Sequence, residues 1–229
     1  MISVKEPSIK GNDLQIYDTN DPWWSDDDPM MTPLRRLVPA RVNFLREDFG
    51  TARKVLDLGC GTGKFLHGYY ELGSDCVGVD ITNNFFIQNK EKFKLLNLDL
   101  NHFLKKNRLK FDVIFLFEFL EHLTQTQRKI LFNNLRKMMN SNGVIFISTL
   151  NRNPISKFFS INIAENFLKL LPKDTHDPEL FLKPLELENL AKKNNLSLKN
   201  TQGISYNPLL KSFRLSNIDL INYFATISN

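Results

Sequence analysis

Between residue 53 and the C-terminus, short apolar runs alternate with stretches of helical period. Residues 54–58 (KVLDL) read as a buried strand, 64–72 as a helix and 76–80 (CVGVD) as a second strand. Residues 93–98 are a weaker third strand and 111–117 (FDVIFLF) a strong fourth. Residues 126–139 place Ile130, Leu131, Leu135 and Met138 near a 3.6-residue period, and 143–149 (GVIFIST) follow as a fifth strand. Strands that are apolar throughout and separated by helices predict a parallel sheet covered on both faces. Residues 184–193 predict a further helix, and 196–206 and 218–227 two closing strands. The expected fold is α/β: a mostly parallel seven-stranded sheet, helices on both faces, and an antiparallel C-terminal edge strand.

Two regions break this rhythm. Residues 1–50 are irregular and polar around Trp23-Trp24, with a helix expected near 34–49 that Pro33 and Pro39 break or delay. They are read as an N-terminal helical cap over substrate or cofactor, and 51–229 as the main domain. Residues 151–178 form an insertion, with Phe158, Phe159, Phe167 and several Leu and Ile residues flanked by Lys157, Lys169 and Lys173. Such a stretch suits either a lid over a pocket or an element lying at a bilayer surface.

Length and composition narrow the class. At 229 residues the chain fits one domain, and 42% hydrophobic residues suit a packed core. No run of 18 apolar residues predicts a membrane span, and the acidic first 30 residues do not resemble a secretory signal. Two cysteines, Cys60 and Cys76, argue against a disulfide scaffold or a cysteine zinc site and for a reducing, cytoplasmic setting. The net charge of +5 fits a solvated lysine-rich surface or attraction to anionic lipid. No basic run is interleaved with aromatics, so nucleic acid is not an expected partner.

The sharpest chemical signal is Val55-Leu56-Asp57-Leu58-Gly59-Cys60-Gly61-Thr62-Gly63. A strand runs into a glycine-rich turn and then a helix, whose first N–H groups lack intrahelical partners. The Gly-x-Gly-x-Gly spacing differs from the dinucleotide and phosphate-loop fingerprints. Asp80 ends the second strand, where a carboxylate can accept two ribose hydroxyls. Asp57 is suited to face a cationic ligand group. Asp99, after the third strand, is either an adenine contact or a plain loop acid.

A second constellation, Glu118-Phe119-Leu120-Glu121-His122, follows the fourth strand at the carboxyl edge, where ligands bind in such sheets. Glu118, Glu121 and His122 are candidates for a divalent metal site, Mg or Zn. Glu121 and His122 are equally candidates for acid–base work near neutral pH.

The strand, the Asp-x-Gly-x-Gly-x-Gly turn and the acidic end of the second strand resemble the class I S-adenosylmethionine-dependent methyltransferases, which have a Rossmann-like fold. Further motifs resemble the ubiquinone-biosynthesis O-methyltransferases. These are Trp23-Trp24, Pro33-Leu34, Pro39-Ala40-Arg41, Ser148-Thr149-Leu150-Asn151-Arg152-Asn153, Leu171-Pro172-Lys173-Asp174-Thr175-His176-Asp177, Phe181-Leu182-Lys183-Pro184 and Gly203-Ile204-Ser205-Tyr206-Asn207-Pro208. They run in order along nearly the whole chain from about residue 23. The chain departs from the pattern at Leu34-Arg35-Arg36 and at Phe117, where Met is more usual.

The resemblance implies methyl transfer from S-adenosyl-L-methionine to a phenolic or catecholic hydroxyl on a polyprenylated ring. The implied acceptors are a 2-polyprenyl-6-hydroxyphenol and a 3-demethylubiquinol. It implies cofactor contacts at Arg41, Gly59, Asp80 and Phe117, to which Asp57, Gly61, Gly63 and Asp99 are added from the turn and the strand ends. In some members the Glu-x-x-Glu-His group is a metal site, implying Glu118, Glu121 and His122 here. The implied partners are the lipid-borne substrate, an anionic membrane surface and a ubiquinone-biosynthesis protein complex, with the protein cytoplasmic or peripheral on the inner membrane. Alternative readings are an O-methyltransferase of another small or lipid-soluble phenol, and a non-catalytic cofactor-binding module.

Overall fold

The computed structural model describes residues 32–45, 52–81, 93–158, 177–207 and 209–229. Trp23-Trp24, Phe159, Phe167, Lys169 and Leu171 to His176 lie outside the described residues. Helix α1 (Thr32–Leu45) leads into β1 (Lys54–Leu58), α2 (Lys64–Glu71), β2 (Asp75–Asp80), β3 (Phe93–Asn97), α3 (Leu100–Lys106) and β4 (Phe111–Phe117). A short 3₁₀ turn (Leu120–His122) precedes α4 (Gln125–Met138), β5 (Met139–Leu150) and α5 (Pro154–Lys157). After a second 3₁₀ turn (Pro178–Leu180) come α6 (Pro184–Lys193), β6 (Ser197–Asn207), β7 (Ser212–Ser216) and β8 (Asn222–Ser228).

The strands form one sheet in the order β3-β2-β1-β4-β5-β8-β6-β7. The first five are parallel, and each later neighbour pairs antiparallel. The α/β class and the antiparallel C-terminal end are as expected. The sheet has eight strands rather than seven. The additional strand is β7, which forms the edge beside β6, while β8 is inserted between β5 and β6. Its five residues, Ser-Phe-Arg-Leu-Ser, are half-buried or exposed, so it carries no apolar run to announce itself.

Alternation along the strands sends side chains to two faces. On one face Leu56, Leu58, Ile114, Leu116, Ile145 and Ile147 pack with Leu131, Phe132 and Leu135 of α4 and Leu187 of α6. On the other, Val55, Val113, Phe115, Phe117 and Phe146 pack with Leu45 of α1 and Leu66 and Tyr69 of α2. This second face holds much of the chain's phenylalanine. Phe115 and Phe117 stack at 4.9 Å, and Phe65 meets both edge-on at 5.3 Å. Each fully buried side chain of this size contributes about 1.5–3 kcal/mol.

Helix α1 is continuous through Pro39, where a break or late start is expected from the sequence. Its Leu37 and Ala40 pack against Ile204 and Phe224, and Leu45 enters the aromatic face. That burial holds the helix together although Pro39 donates no backbone hydrogen bond. Helix α4 starts on a reciprocal cap in which Thr124 accepts from Gln127 N while the Gln127 side chain accepts from Thr124 N. The cap fixes how the chain leaves the 3₁₀ turn that carries Glu121 and His122.

Candidate active site

Because β1, β2, β4 and β5 run parallel, Leu58, Asp80, Phe117 and Leu150 all end at the same edge of the sheet. Every expected site residue except Arg41 is at or just beyond this edge. Arg41 comes from α1 and reaches it across the aromatic face.

The turn after β1 takes the shape its glycines permit. Gly59, Gly61 and Gly63 have φ of 78°, 53° and 78°. Gly59 is irreplaceable for a second reason: a Cβ there would lie 2.5 Å from Cδ2 of Phe119. The turn is tied to β2, since Gly59 N donates to Val79 O at 2.8 Å and Gly61 N donates to Asp80 Oδ2 at 2.7 Å. The first two acidic candidates, Asp57 and Asp80, therefore flank one loop. Cys60 and Cys76 are free and buried, and burial pushes both thiols up, Cys76 to about 12. Neither is a nucleophile at neutral pH.

Asp57 is 4% exposed, and its Oδ1 has no hydrogen-bond partner among the described residues. Burial raises its carboxyl to about 7; Arg41 pulls it down and Asp80 pushes it up. Arg41 is likewise buried, and desolvation lowers its guanidinium to about 10 against the attraction of Asp57 and Glu121. Its Nη2 donates to Glu118 Oε2, and its Cζ sits 4.7 Å from the centre of the Phe117 ring and 5.8 Å from that of Phe65. An ion pair with an aromatic platform keeps a buried arginine charged and aimed at the edge.

The turn after β4 is built differently. Glu118 occupies the left-handed region at φ 46° without being glycine, and its N donates to Ser148 O at 3.0 Å. Glu121 is 1% exposed and accepts from Thr149 Oγ1 at 2.8 Å. Arg128 of α4 attracts it, while itself donating to Leu120 O at 2.9 Å and to Leu180 O. Tyr223 completes this wall by donating to Leu182 O at 2.9 Å, and burial pushes its phenol above the ordinary range.

The expected metal set does not assemble. Arg41 donates to Glu118, whereas Thr149, which shares a strand face with Ile147, donates to Glu121, so the two carboxylates are each committed to a different partner. Among the described residues no three His, Cys, Asp or Glu side chains converge as a cation site. The Glu118, Glu121 and His122 set therefore does not fit a divalent ion in this geometry. Asp99 has a structural duty: it caps α3, accepting from His102 N at 3.0 Å. Burial alone would raise its carboxyl, and the hydrogen bonds from His102 outweigh this and lower it. Thr149 and Arg128 were not anticipated as site residues. A signal for Thr149 existed, since Ser148 and Thr149 are polar yet buried at the end of an apolar strand.

Residues 31–206 match the family model described as a methyltransferase domain. The ubiquinone biosynthesis O-methyltransferase of Pelagibacter ubique is 35% identical over 218 residues, covering 88% of this chain and 90% of that one. The chain belongs to the ubiquinone biosynthesis O-methyltransferase family. The family member from Dechloromonas aromatica is 32% identical, over 88% of this chain and 89% of its own. That from Coxiella burnetii is 31% identical over the full length of both. Among solved structures, a SAM-dependent methyltransferase from Archaeoglobus fulgidus superposes with a TM-score of 0.62 at 22% identity, covering 85% of this chain and 94% of that one. The magnesium protoporphyrin IX methyltransferase of Synechocystis with bound SAH gives 0.60 at 14% identity, covering 94% and 92%. These likenesses show a shared fold, and the family match makes this chain a methyltransferase.

Proposed function

We propose that the protein is the O-methyltransferase of ubiquinone biosynthesis, transferring the methyl group of S-adenosylmethionine to phenolic hydroxyls of polyprenylated intermediates. The proposed acceptors are a 2-polyprenyl-6-hydroxyphenol and a 3-demethylubiquinol. The observation that carries this reading is the 31–35% identity to enzymes of that name over 88–100% of the chain. Identity of that extent includes the C-terminal strands and α1, not the glycine turn alone.

The residues at the carboxyl edge fit such a cofactor. A buried carboxylate with an unpartnered oxygen, Asp57, suits a ligand carrying positive charge. In this reading the turn at Gly59, Gly61 and Gly63 admits the ligand against the backbone, and Asp80 accepts ribose hydroxyls. Arg41 receives a carboxylate, Phe117 packs beside it, and Asp99 lies near the base. When bound, the cofactor supplies a methyl group on a cationic sulfur, already activated for in-line attack.

The chain's own contribution is to orient the acceptor and remove its proton. A phenol loses its proton near pH 10, so a base must assist at neutral pH. His122 is assigned that role, with Glu121 holding charge beside it. Thr149 fixes the Glu121 carboxylate and Arg128 offsets its charge.

The N-terminal segment through α1 is proposed to cap the site, and residues 151–178 to form a lid that meets the membrane where the substrate resides. Exposed Phe158 at the start of that segment supports this reading. A ubiquinone-biosynthesis complex is the proposed setting at the inner membrane. No helix among the described residues is long and apolar enough to cross a membrane. The deciding experiment is mass spectrometry of products after incubation with S-adenosylmethionine and each quinone intermediate. A mass gain of one methyl on either acceptor is expected. Turnover of other small phenols with neither intermediate methylated overturns the substrate, and absence of cofactor binding by calorimetry overturns the enzyme reading.

A further inference from the structure

The registers at the C-terminal end of the sheet build a projection at the active-site edge. Leu150, the last residue of β5, pairs with Asn222 of β8, which pairs with Ile204 of β6. Beyond that level β6 and β7 continue alone through Ser205–Arg214, Tyr206–Phe213 and Asn207–Ser212. Three further pairs at ~3.3 Å per residue carry this ribbon about 10 Å past the carboxyl edge before its tip. Residues 217–221 then cross back beneath it, so close to Gly203 that a Cβ there would collide with Ile218.

The tip is apolar and uncovered by the described residues: Leu209 is 91% exposed and Leu210 60%. Ile218 and Leu220 on the returning loop are exposed too, and that loop is hydrogen-bonded to the start of the 151–178 segment through Asn151 Nδ2 to Asp219 O and Asn153 Nδ2 to Leu220 O, both 2.7 Å. The charge on the ribbon is of one sign. From Gly203 to Ser216 it carries Lys211 and Arg214 and no Asp or Glu. Arg36 of α1 adds to this by donating to Tyr206 Oη at 3.4 Å.

We propose that the β6–β7 ribbon is a second membrane-docking element, which inserts Leu209 and Leu210 into an anionic phospholipid surface while Lys211 and Arg214 meet the headgroups. The charge pattern selects this occupant: a leucine pair followed by basic residues, with no acid, matches a surface with an apolar interior and negative headgroups. The ribbon stands at the same edge as the active site, so docking brings that edge to the bilayer. The inference rests on the reading that the acceptor is borne by lipid. It assigns contact to a part of the chain separate from residues 154–178.

The test is co-sedimentation of the full chain with phosphatidylcholine vesicles, with and without phosphatidylglycerol, alongside methylation of a short-chain, water-soluble quinol. Leu209→Asp/Leu210→Asp is expected to lower the partition coefficient by about tenfold or more, as removal of two large apolar side chains from an interface implies. Lys211→Glu/Arg214→Glu is expected to abolish the preference for phosphatidylglycerol. Leu185→Asp on α6, a control exposed leucine, is expected to bind as the parent does. Turnover of the soluble quinol is expected to be unchanged in all three, which separates docking from the catalytic reading. Wild-type binding by both ribbon variants overturns the proposal, as does absence of vesicle binding by the parent chain. Dissociation of a dimer by Leu209→Asp/Leu210→Asp, with vesicle binding retained, also overturns it and assigns the tip to a second copy of the chain.

Discussion

The turns after β1 and β4 end neighbouring parallel strands at one edge, and both pass through the left-handed region. They reach it by opposite means. After β1 every such residue is glycine, and the loop's own N–H groups close it by donating to Val79 O and to the Asp80 carboxylate on the adjacent strand. After β4 the residue is Glu118, a poor choice for φ 46°, tethered by Arg41 from a helix 77 positions earlier. The first turn is written in its residue types. The second is imposed by partners brought in from α1 and β5, which engage Glu118 and Glu121 respectively.

The largest way to break the first turn is Gly59→Ala. The added Cβ meets Phe119 and the backbone resists φ 78°, so a loss of roughly 2–5 kcal/mol in stability is expected, together with loss of cofactor binding. Chemical denaturation and calorimetry read the two effects. Adding Phe119→Ala should recover the collision but not the backbone strain, so full recovery would contradict this account.

The second turn should yield to its distant partner. Glu118→Gln removes the carboxylate that the buried Arg41 guanidinium donates to and should cost about 2 kcal/mol, below the value for a fully buried pair because Glu118 keeps some exposure and Asp57 and Glu121 still attract Arg41. Glu118→Gly, which suits the backbone but lacks the carboxylate, separates strain from charge. If both variants were equally destabilised, charge alone would govern the turn. A smaller effect, about 1–2 kcal/mol, is expected for Thr149→Val, which strips Glu121 of a donor. Its turnover should fall, while cofactor affinity measured by calorimetry stays near that of the parent.

Asp57 offers a pH test. Its carboxyl, raised from 3.8 to about 7 by burial, binds a proton in the folded chain that the unfolded chain has already released. Stability without ligand should therefore fall as pH rises from about 4 to about 7, with little further change from this group above that window. Asp57→Asn should flatten this dependence in thermal melts. Binding a cationic ligand should favour ionised Asp57 and release a proton near pH 7, visible as a buffer-dependent enthalpy that Asp57→Asn removes. The smallest expected effect is that of chelation. Since Glu118 and Glu121 are committed to Arg41 and Thr149, treatment with a chelator should leave methyl transfer unchanged; a loss restored by Mg²⁺ or Zn²⁺ would show that these turns rearrange to hold a cation.

The same division runs through the fold. Strands β1, β2, β4 and β5 were readable because both of their faces are buried, which forces unbroken apolar runs. β7 was not, because an edge strand needs only half-buried residues. Helix α3 was missed for its length of seven residues, although Asp99 at its start and Lys105 and Lys106 at its end mark it. The expected break at Pro39 failed because packing of Leu37, Ala40 and Leu45 outweighs one missing hydrogen bond.

The parallel core, the glycine turn and the acid at the end of β2 are legible in the chain alone, since each depends on residue types acting on their own backbone or on a repeating pattern of burial. The meeting of Arg41 with Glu118, the hold of Thr149 on Glu121, and the projection of Leu209 and Leu210 beyond the active-site edge arise in the folded chain. Those depend on strand order and register, which bring together residues far apart in the chain. Burial then weakens solvent screening, so that a partner 77 positions away sets where a charge points.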